Sequence, residues 1–348
     1  MALQLADLRA QFPHGAGYLS AATMGIPPVD AVNAMKNDLE LWSTAARDPG
    51  DYGPIVERTR AHYAALVGVG VGSVAIASQT SVMASVLAHA VPAGREVLVV
   101  DGDFTSTMFP FFARTDITVR SVSLDALAEE ISAATWLVSF SLIQSANGTV
   151  ADSDAITEAA ARFGAITVCD VTQAAGIHPV NAVQFDVTVC HAYKWLCSPR
   201  GVGFLTVNAR VIAEVPTIQA GWYAGNDPWS SIYGPAMNLA PDARRFDISP
   251  AWQAWVGAEP AIALFAGLNI SHVWAHASAL GTAFLGGLGQ RGRDQAIVTV
   301  PDDDGSRLLA LRSAGLTASG RGGKLRVAFH VWNDEDDVAR AISAVRSA

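Results

Sequence analysis

The stretch HAYKWLCSPRGVG, residues 191–203, sets one lysine, Lys194, among aromatic and apolar neighbours and closes on a Pro/Gly-rich turn. A snorkelling surface lysine is the ordinary fate of this residue type and leaves that company unexplained; an amine that forms a Schiff base with a carbonyl explains it. Asp170 ends the run AITVCD, 24 residues before Lys194, and Gln173 follows three positions later. Thr80 and Ser81 follow the short run VAIA and open a helical stretch, where hydroxyls and free backbone N–H groups can receive an anion. Gln144 follows WLVSFSLI, and His191 and Tyr193 stand just before the lysine. Each has a structural reading as well. Asp170 can cap a turn through its own side chain, and His191 and Tyr193 can be hydrogen-bonded core residues.

These residues need a frame that brings them together. Apolar, β-branched runs predict strands at 74–77, 97–100, 118–123, 136–141, 165–170, 186–191 and 202–207, and amphipathic stretches at 83–90, 124–132 and 153–163 predict helices between them. Strands apolar along their whole length, alternating with helices, specify an α/β fold with a doubly wound, mainly parallel sheet. Beyond about residue 208 the pattern changes. Residues 221–255 are rich in Trp, Gly and Pro without clean periodicity, and a helix–strand–helix arrangement over roughly 258–348 predicts a smaller second domain. The expected division is an amino-terminal segment 1–17 packed on the small domain, a large domain 18–240 and a small domain 241–348.

Composition narrows the partners. The chain has 348 residues, a net charge of −9 and only 23 Lys+Arg, with no basic run interleaved with aromatics, which predicts no nucleic-acid partner. The start MALQLADLRAQF lacks the basic and apolar regions of a leader, and no long uncharged apolar stretch reads as a spanning helix, so a cytoplasmic protein without a membrane partner is expected. Cys169, Cys190 and Cys197 form no CxxC pair, and the spacing of His272 and His276 lacks a third ligand, so no metal is expected. GVGVG at 68–72 precedes a strand instead of following one, and reads as a loop and not as a dinucleotide cradle.

Ligands of open parallel sheets bind beyond the carboxyl ends of the strands. A carboxylate, a lysine and an anion-binding turn at successive strand ends suit pyridoxal 5'-phosphate. Its aldehyde needs an amine, its ring nitrogen an anionic partner, and its phosphate a set of donors.

At this point the sequence resembles the class V aminotransferase family of fold-type I pyridoxal phosphate enzymes, which includes cysteine desulfurases, isopenicillin N epimerase-like proteins and kynureninases. Five ordered blocks carry the resemblance: YLSAATMGIPP (18–28), SQTSV (78–82), SLIQSANGTVAD (141–152), CDVTQAAGIHPV with HAYKWLCSPRGVGFL, and LRVAFHVWNDEDDV (325–338). The resemblance implies a seven-stranded, mainly parallel sheet in a large domain with an α+β carboxyl-terminal domain. Lys194 would be the Schiff-base lysine and the acid/base for the substrate's α-proton, and Asp170 the partner of the ring nitrogen. Gln144 and Gln173 would serve the phenolate side of the ring; Thr80, Ser81, His191 and Tyr193 the phosphate; and Phe104 would stack on the ring. Arg326 would receive an amino-acid α-carboxylate as a fork, with an ion pair to the acidic run 334–337 as its structural alternative. RRFDISP (244–250) resembles a loop that reaches across a homodimer, where Ser249 would touch the partner's phosphate.

The sequence also departs from the desulfurase pattern. Tyr193 precedes the lysine where desulfurases carry histidine, DGDFTSTMFPF (101–111) offers no stacking histidine, and no cysteine follows Cys197 to carry persulfide sulfur. An aminotransferase or a carbon–sulfur or carbon–carbon lyase is therefore expected, with a racemase or epimerase, or a non-catalytic regulatory or scaffolding protein on the same fold, as alternatives. The tryptophans between 222 and 274 can line an aromatic substrate pocket or serve packing.

Overall fold

The computed structural model describes residues 8–348. Seven strands, β1 (Val74–Ala77), β2 (Glu96–Val100), β3 (Thr118–Val122), β4 (Thr135–Ser141), β5 (Ile166–Asp170), β6 (Val187–His191) and β7 (Gly203–Val207), form one sheet in the order β1-β7-β6-β5-β4-β2-β3. Neighbours from β3 to β6 pair in parallel. β7 runs antiparallel to both β6 and β1, so β1 points the same way as the parallel set. All seven predicted strands are present, each end within one residue of its expected position.

The sheet is covered on both faces, as the apolar strands require. On β2 the side chains alternate between two cores: Leu98 and Val100 join one cluster with Val138 and Phe140, while Val97 and Val99 join another with Leu137 and Val168. Two helices, α1 (Val29–Ser43) and α2 (Tyr52–Val67), precede the first strand, and α2 ends on Gly68 at φ +75°, the left-handed cap that glycine adopts without a Cβ penalty. The crossover helices are α3 (Thr80–Ala90), α4 (Thr105–Phe112), the short α5 (Leu127–Glu130) and α6 (Ser153–Phe163). α6 matches its predicted span because it carries its own punctuation: the Asp152 side chain accepts from Ala155 N at its start, and Gly164 closes it in the left-handed region.

Residues 221–251 make three 3-10 turns and an isolated Gly225–Leu239 bridge before α7 (Trp252–Ala266), which packs against α1 and α2. α8 (Ile270–Gly287) leads into a second, antiparallel sheet of β8 (Ile297–Pro301), β10 (Lys324–Ala328) and β9 (Ser319–Arg321), in that order, flanked by α9 (Ser306–Ser313) and α10 (Glu335–Arg346). Three strands stand where one was expected. β9 is only three residues long and turns into β10 through Gly322 and Gly323, both at positive φ, so neither strand leaves a long alternating pattern.

Of the amino-terminal segment expected on the small domain, residues 1–7 lie outside the described residues. Gly17 N donates to Asp337 Oδ1 at 2.8 Å, and Tyr18 and Ser20 bridge to Thr317 and Ala328 beside the small sheet. Among the described residues no single helix is long and apolar enough to cross a membrane. α7 and α8 pass that test only as a pair, bent by 89°. The tryptophans pack on the protein's own aromatics: Trp252 stacks on Tyr52, Trp255 meets Phe204 edge-on, and Trp222 lies against Trp229.

Candidate active site

Because β1, β2, β4, β5 and β6 share one direction, their carboxyl ends deliver Thr80, Asp103, Gln144, Asp170 and Lys194 to one edge of the sheet. There a cavity of about 510 Å³ opens between the sheet edge and the small domain. Lys194 and Tyr193 form part of its wall, with Phe104, Arg200, Arg321 and Arg326 around them. It adjoins a smaller recess of about 50 Å³ that shares Phe104, Tyr193, Lys194 and Arg200 and reaches Thr80, Ser81 and His191.

Lys194 is buried, with Nζ 5.2 Å from the centroid of the Phe104 ring and 5.7 Å from that of Tyr193. Burial lowers its pKa to about 8, Asp170 opposes that fall, and Arg326 and Arg321 add to it. About a tenth of the amine is therefore neutral at pH 7, far more than for a solvated lysine. Asp170 is buried too. Desolvation lifts its pKa to about 6, against hydrogen bonds from Thr172 and the charge of Lys194, and Thr172 N donates to Oδ1 at 2.7 Å. The acid and the amine sense each other's charge across the site.

The recess has the donors of an anion site. α3 starts on Gln79 with no side-chain cap, leaving the first N–H groups beside Thr80 and Ser81 free. His191 Nε2 is buried without a hydrogen-bond partner among the described residues, and its ring meets Tyr193 edge-on at 4.3 Å. Burial lowers the His191 pKa to about 4, helped by Arg200 and Lys194. Arg200 stacks over the Tyr193 ring at 4.4 Å and lines both spaces. An orphaned ring nitrogen, an uncapped helix start and an arginine around one small recess fit a phosphate group, and the neutral amine beside them fits an aldehyde.

Arg326 is buried and held by neutral groups alone. Its Nη1 donates to the Ser145 carbonyl at 2.5 Å, Nη2 to Thr23 Oγ1 at 2.8 Å, and Nε to Ser319 Oγ at 3.2 Å. Burial lowers its pKa to about 10, with Arg321 adding to the effect and Tyr193 opposing it. The alternative ion pair with the run 334–337 is absent. Asp334 pairs with Arg9, and Asp337 with Arg340 and Asn333. A buried guanidinium propped by hydroxyls and a carbonyl, with no acid partner among the described residues, has the chemistry to receive a carboxylate.

The two glutamines work through neighbours. Gln144 donates to Asp103 Oδ2 at 3.3 Å and to the Ser141 carbonyl, while Gln173 donates to the Ala22 carbonyl and Ser145 Oγ and accepts from Trp195 Nε1 at 2.7 Å. Neither lines the larger cavity or the recess, and both amides are committed to the walls around them. Ser249 is exposed and borders neither space. Its loop is anchored by Asp247, which accepts from Ile76 N at 2.7 Å and from Arg60 Nη2 at 2.7 Å. No tryptophan lines the cavity.

Several residues of the site went unmarked in the sequence. Asp103 accepts from Phe104 N, from Ser141 N and Oγ, and from Gln144, so its carboxylate fixes the start of α4 and the Phe104 backbone. Thr23, Ser145, Ser319 and Thr172 orient the charged groups, and Arg200 and Arg321 add cations. Their signal is weak because short polar residues in loops are common; only their position at strand ends and hairpins marks them.

A sheet of this order, with a lysine and a carboxylate at neighbouring strand ends facing a smaller antiparallel domain, is the fold-type I architecture of pyridoxal phosphate-dependent transferases. The chain belongs to the aminotransferase class-V family, whose model matches residues 20–319. It is 30% identical over 220 residues to a kynureninase of Deinococcus radiodurans, covering 60% of this chain and 53% of that relative. It is 31% identical over 201 residues to an isopenicillin N epimerase of Amycolatopsis lactamdurans, covering 53% and 48%. The matches thus span about half the length of these relatives. The solved cysteine desulfurase CsdA of Escherichia coli superposes with a TM-score of 0.85 at 18% identity, covering 100% of this chain and 98% of that one.

Proposed function

We propose that this protein is a pyridoxal 5'-phosphate-dependent enzyme that acts on an amino acid through Lys194, as a lyase or aminotransferase. The observation that carries the reading is one cavity lined by a buried, partly neutral amine and by a buried guanidinium without an acid partner among the described residues, with the buried acid of the adjoining strand end near enough for its charge to act on the amine. The kynureninase relative supports a carbon–carbon lyase as the leading outcome.

When bound, the cofactor supplies a carbonyl carbon that accepts amines and a ring that takes up the electron pair left at the substrate's α-carbon. Lys194 would hold it through Nζ; the free N–H groups of α3, Thr80, Ser81, His191 and Arg200 would hold its phosphate; and Asp170 would pair with its ring nitrogen. Arg326 binds the α-carboxylate as a two-pronged donor and so fixes the α-carbon near Lys194. Lys194 Nζ, when free, would serve as the base for the α-proton, and burial, by lowering its pKa to about 8, brings the amine nearer to neutral pH than a solvated lysine. Phe104 covers the amine from the cavity side and limits water there.

The same proposal includes a homodimer. Ser249 lies outside its own chain's cavities on a loop pinned by Asp247, which suits a contact to a second copy's phosphate site.

The test is spectroscopic. Purified protein supplied with the cofactor should absorb near ~420 nm, lose that band on borohydride treatment and show the modification at Lys194. An amino-acid panel should then shift the band. A protein whose Lys194→Ala variant gives the same reducible band would not be this kind of enzyme.

A further inference from the structure

The cavity carries one more cation than the chemistry above employs. Arg200 flanks the phosphate recess and Arg326 receives the α-carboxylate, which leaves Arg321. It lies at the exposed rim of the cavity, and among the described residues its only side-chain hydrogen bond is from Nη1 to the adjacent Gly320 carbonyl at 2.7 Å.

Its placement is built by the fold. Ser319 and Arg321 are two residues apart on β9, so their side chains leave the same face of the small sheet. Ser319 Oγ accepts from Arg326 Nε, which puts that face against the carboxylate receptor. Arg321 pairs in register with Lys324, and Gly322 and Gly323 close the two-residue turn between them, so the guanidinium is carried on a tight hairpin and not on a long loop.

No acid neutralises it. Among the described residues, neither Arg321 nor Arg326 pairs with a carboxylate, and the one carboxylate lining the larger cavity, that of Asp103, is occupied by the backbone N–H groups of Phe104 and Ser141, the Ser141 hydroxyl and Gln144. Two arginines without acids at one end of a substrate cavity repel each other, and each depresses the protonation of Lys194. Ligand charge is what such an arrangement lacks.

We propose that Arg321 is a specificity residue that receives a carboxylate at the end of the substrate's side chain, so that the protein prefers acidic amino acids over neutral ones. The inference rests on the proposed function. Arg326 takes the α-carboxylate that every amino acid offers, and Arg321, at the cavity rim, meets what lies beyond the β-carbon.

The experiment uses the cofactor-loaded protein and two ligands without an α-proton, α-methyl-L-aspartate and α-methylalanine, titrated at equilibrium by absorbance. The parent should bind α-methyl-L-aspartate at least about tenfold more tightly. Arg321→Gln should erase that preference, Arg321→Lys should restore part of it, and Arg326→Gln should weaken both ligands together. Equal affinities in the parent overturn the proposal. So does an Arg321→Gln variant that weakens both ligands equally, which would make Arg321 a second holder of the α-carboxylate. A parent that forms no borohydride-reducible band sinks the proposed function itself, and this inference with it.

Discussion

Gly25 sits directly against the backbone of Lys194: its N–H donates to the Tyr193 carbonyl at 2.9 Å, and a Cβ on Gly25 would stand 2.0 Å from the Lys194 carbonyl oxygen. The glycine of YLSAATMGIPP is thus required by close approach, because the amino-terminal segment packs on the turn that aims the lysine. Gly25→Ala must push that turn away. The expected result is a loss of about 1–3 kcal/mol of stability and a cofactor band that forms slowly or incompletely, measured by thermal unfolding and by absorbance after adding pyridoxal phosphate.

The amine of Lys194 reacts only when neutral. With its pKa lowered to about 8 by burial, the rate at which cofactor-free protein captures pyridoxal phosphate should rise with pH through about 8 and level off above it. A rate still climbing steeply toward pH 10, as for a solvated lysine, would mean that the amine is not desolvated. Stopped-flow absorbance across a pH series decides this.

Burying that amine costs the empty fold something. The folded pKa of about 8 lies below the ordinary 10.5, so between these values the unfolded chain binds more protons than the folded one, and stability rises with pH there. The cost is fully present below pH 8 and gone above about 10.5, and at neutral pH it is about 3 kcal/mol. Lys194→Met should therefore make the cofactor-free protein melt higher than its parent at pH 7, with the gap closing toward pH 10.5, while abolishing turnover.

Arg326 should act on binding more than on chemistry. Arg326→Gln removes one charged fork from a buried receptor and should lower kcat/KM by about 30- to 100-fold, mostly through KM. Arg326→Lys should recover little, because an ammonium cannot reach Ser145, Thr23 and a carboxylate in the same fork geometry. Steady-state kinetics on the best amino acid of the panel measures both.

The strands were legible because buried parallel strands are apolar on both faces; VTVCH and ITVCD can hardly be anything else in an alternating chain. Asp170 and Lys194 were legible for the opposite reason, being charged residues where such runs end. The wall of the cavity was not. Asp103 acts on Phe104 beside it and on two residues that only the sheet brings near, Ser141 and Gln144, 38 and 41 positions away. β9 is too short for periodicity, so Arg321 had no element to be placed on. Gln144 and Gln173 carry family motifs, yet the structure spends their amides on Asp103, Ser145 and Trp195, a division of labour that depends on side-chain geometry and not on residue type.

One buried ion pair ties the sheet edge to the loop that carries Ser249. Arg60 on α2 donates through Nη1 and Nη2 to Asp247, whose Oδ1 also accepts from Ile76 N on β1, and both side chains are almost fully removed from water. Desolvation raises the Asp247 pKa to about 6 while Arg60 and the Ile76 N–H pull it down, so the pair is held by several bonds against a high burial cost. Removing Asp247 leaves Arg60 buried with only the half-exposed Glu57 and the Val74 carbonyl as partners among the described residues. Asp247→Leu should lose about 3–5 kcal/mol, and the Ile76 amide should exchange hydrogen faster by orders of magnitude. Replacing both partners, Arg60→Met with Asp247→Leu, should recover most of the melting temperature, because apolar packing stands in for the pair. The Ile76 amide would stay unprotected in that double variant, since no acceptor replaces the carboxylate. Stability would then return while the Ser249 loop kept only the Ile248 N–H bond to the Ile76 carbonyl of β1, and a sedimentation measurement of self-association on the same variant would show whether the Asp247 anchor is what presents Ser249 to a second copy.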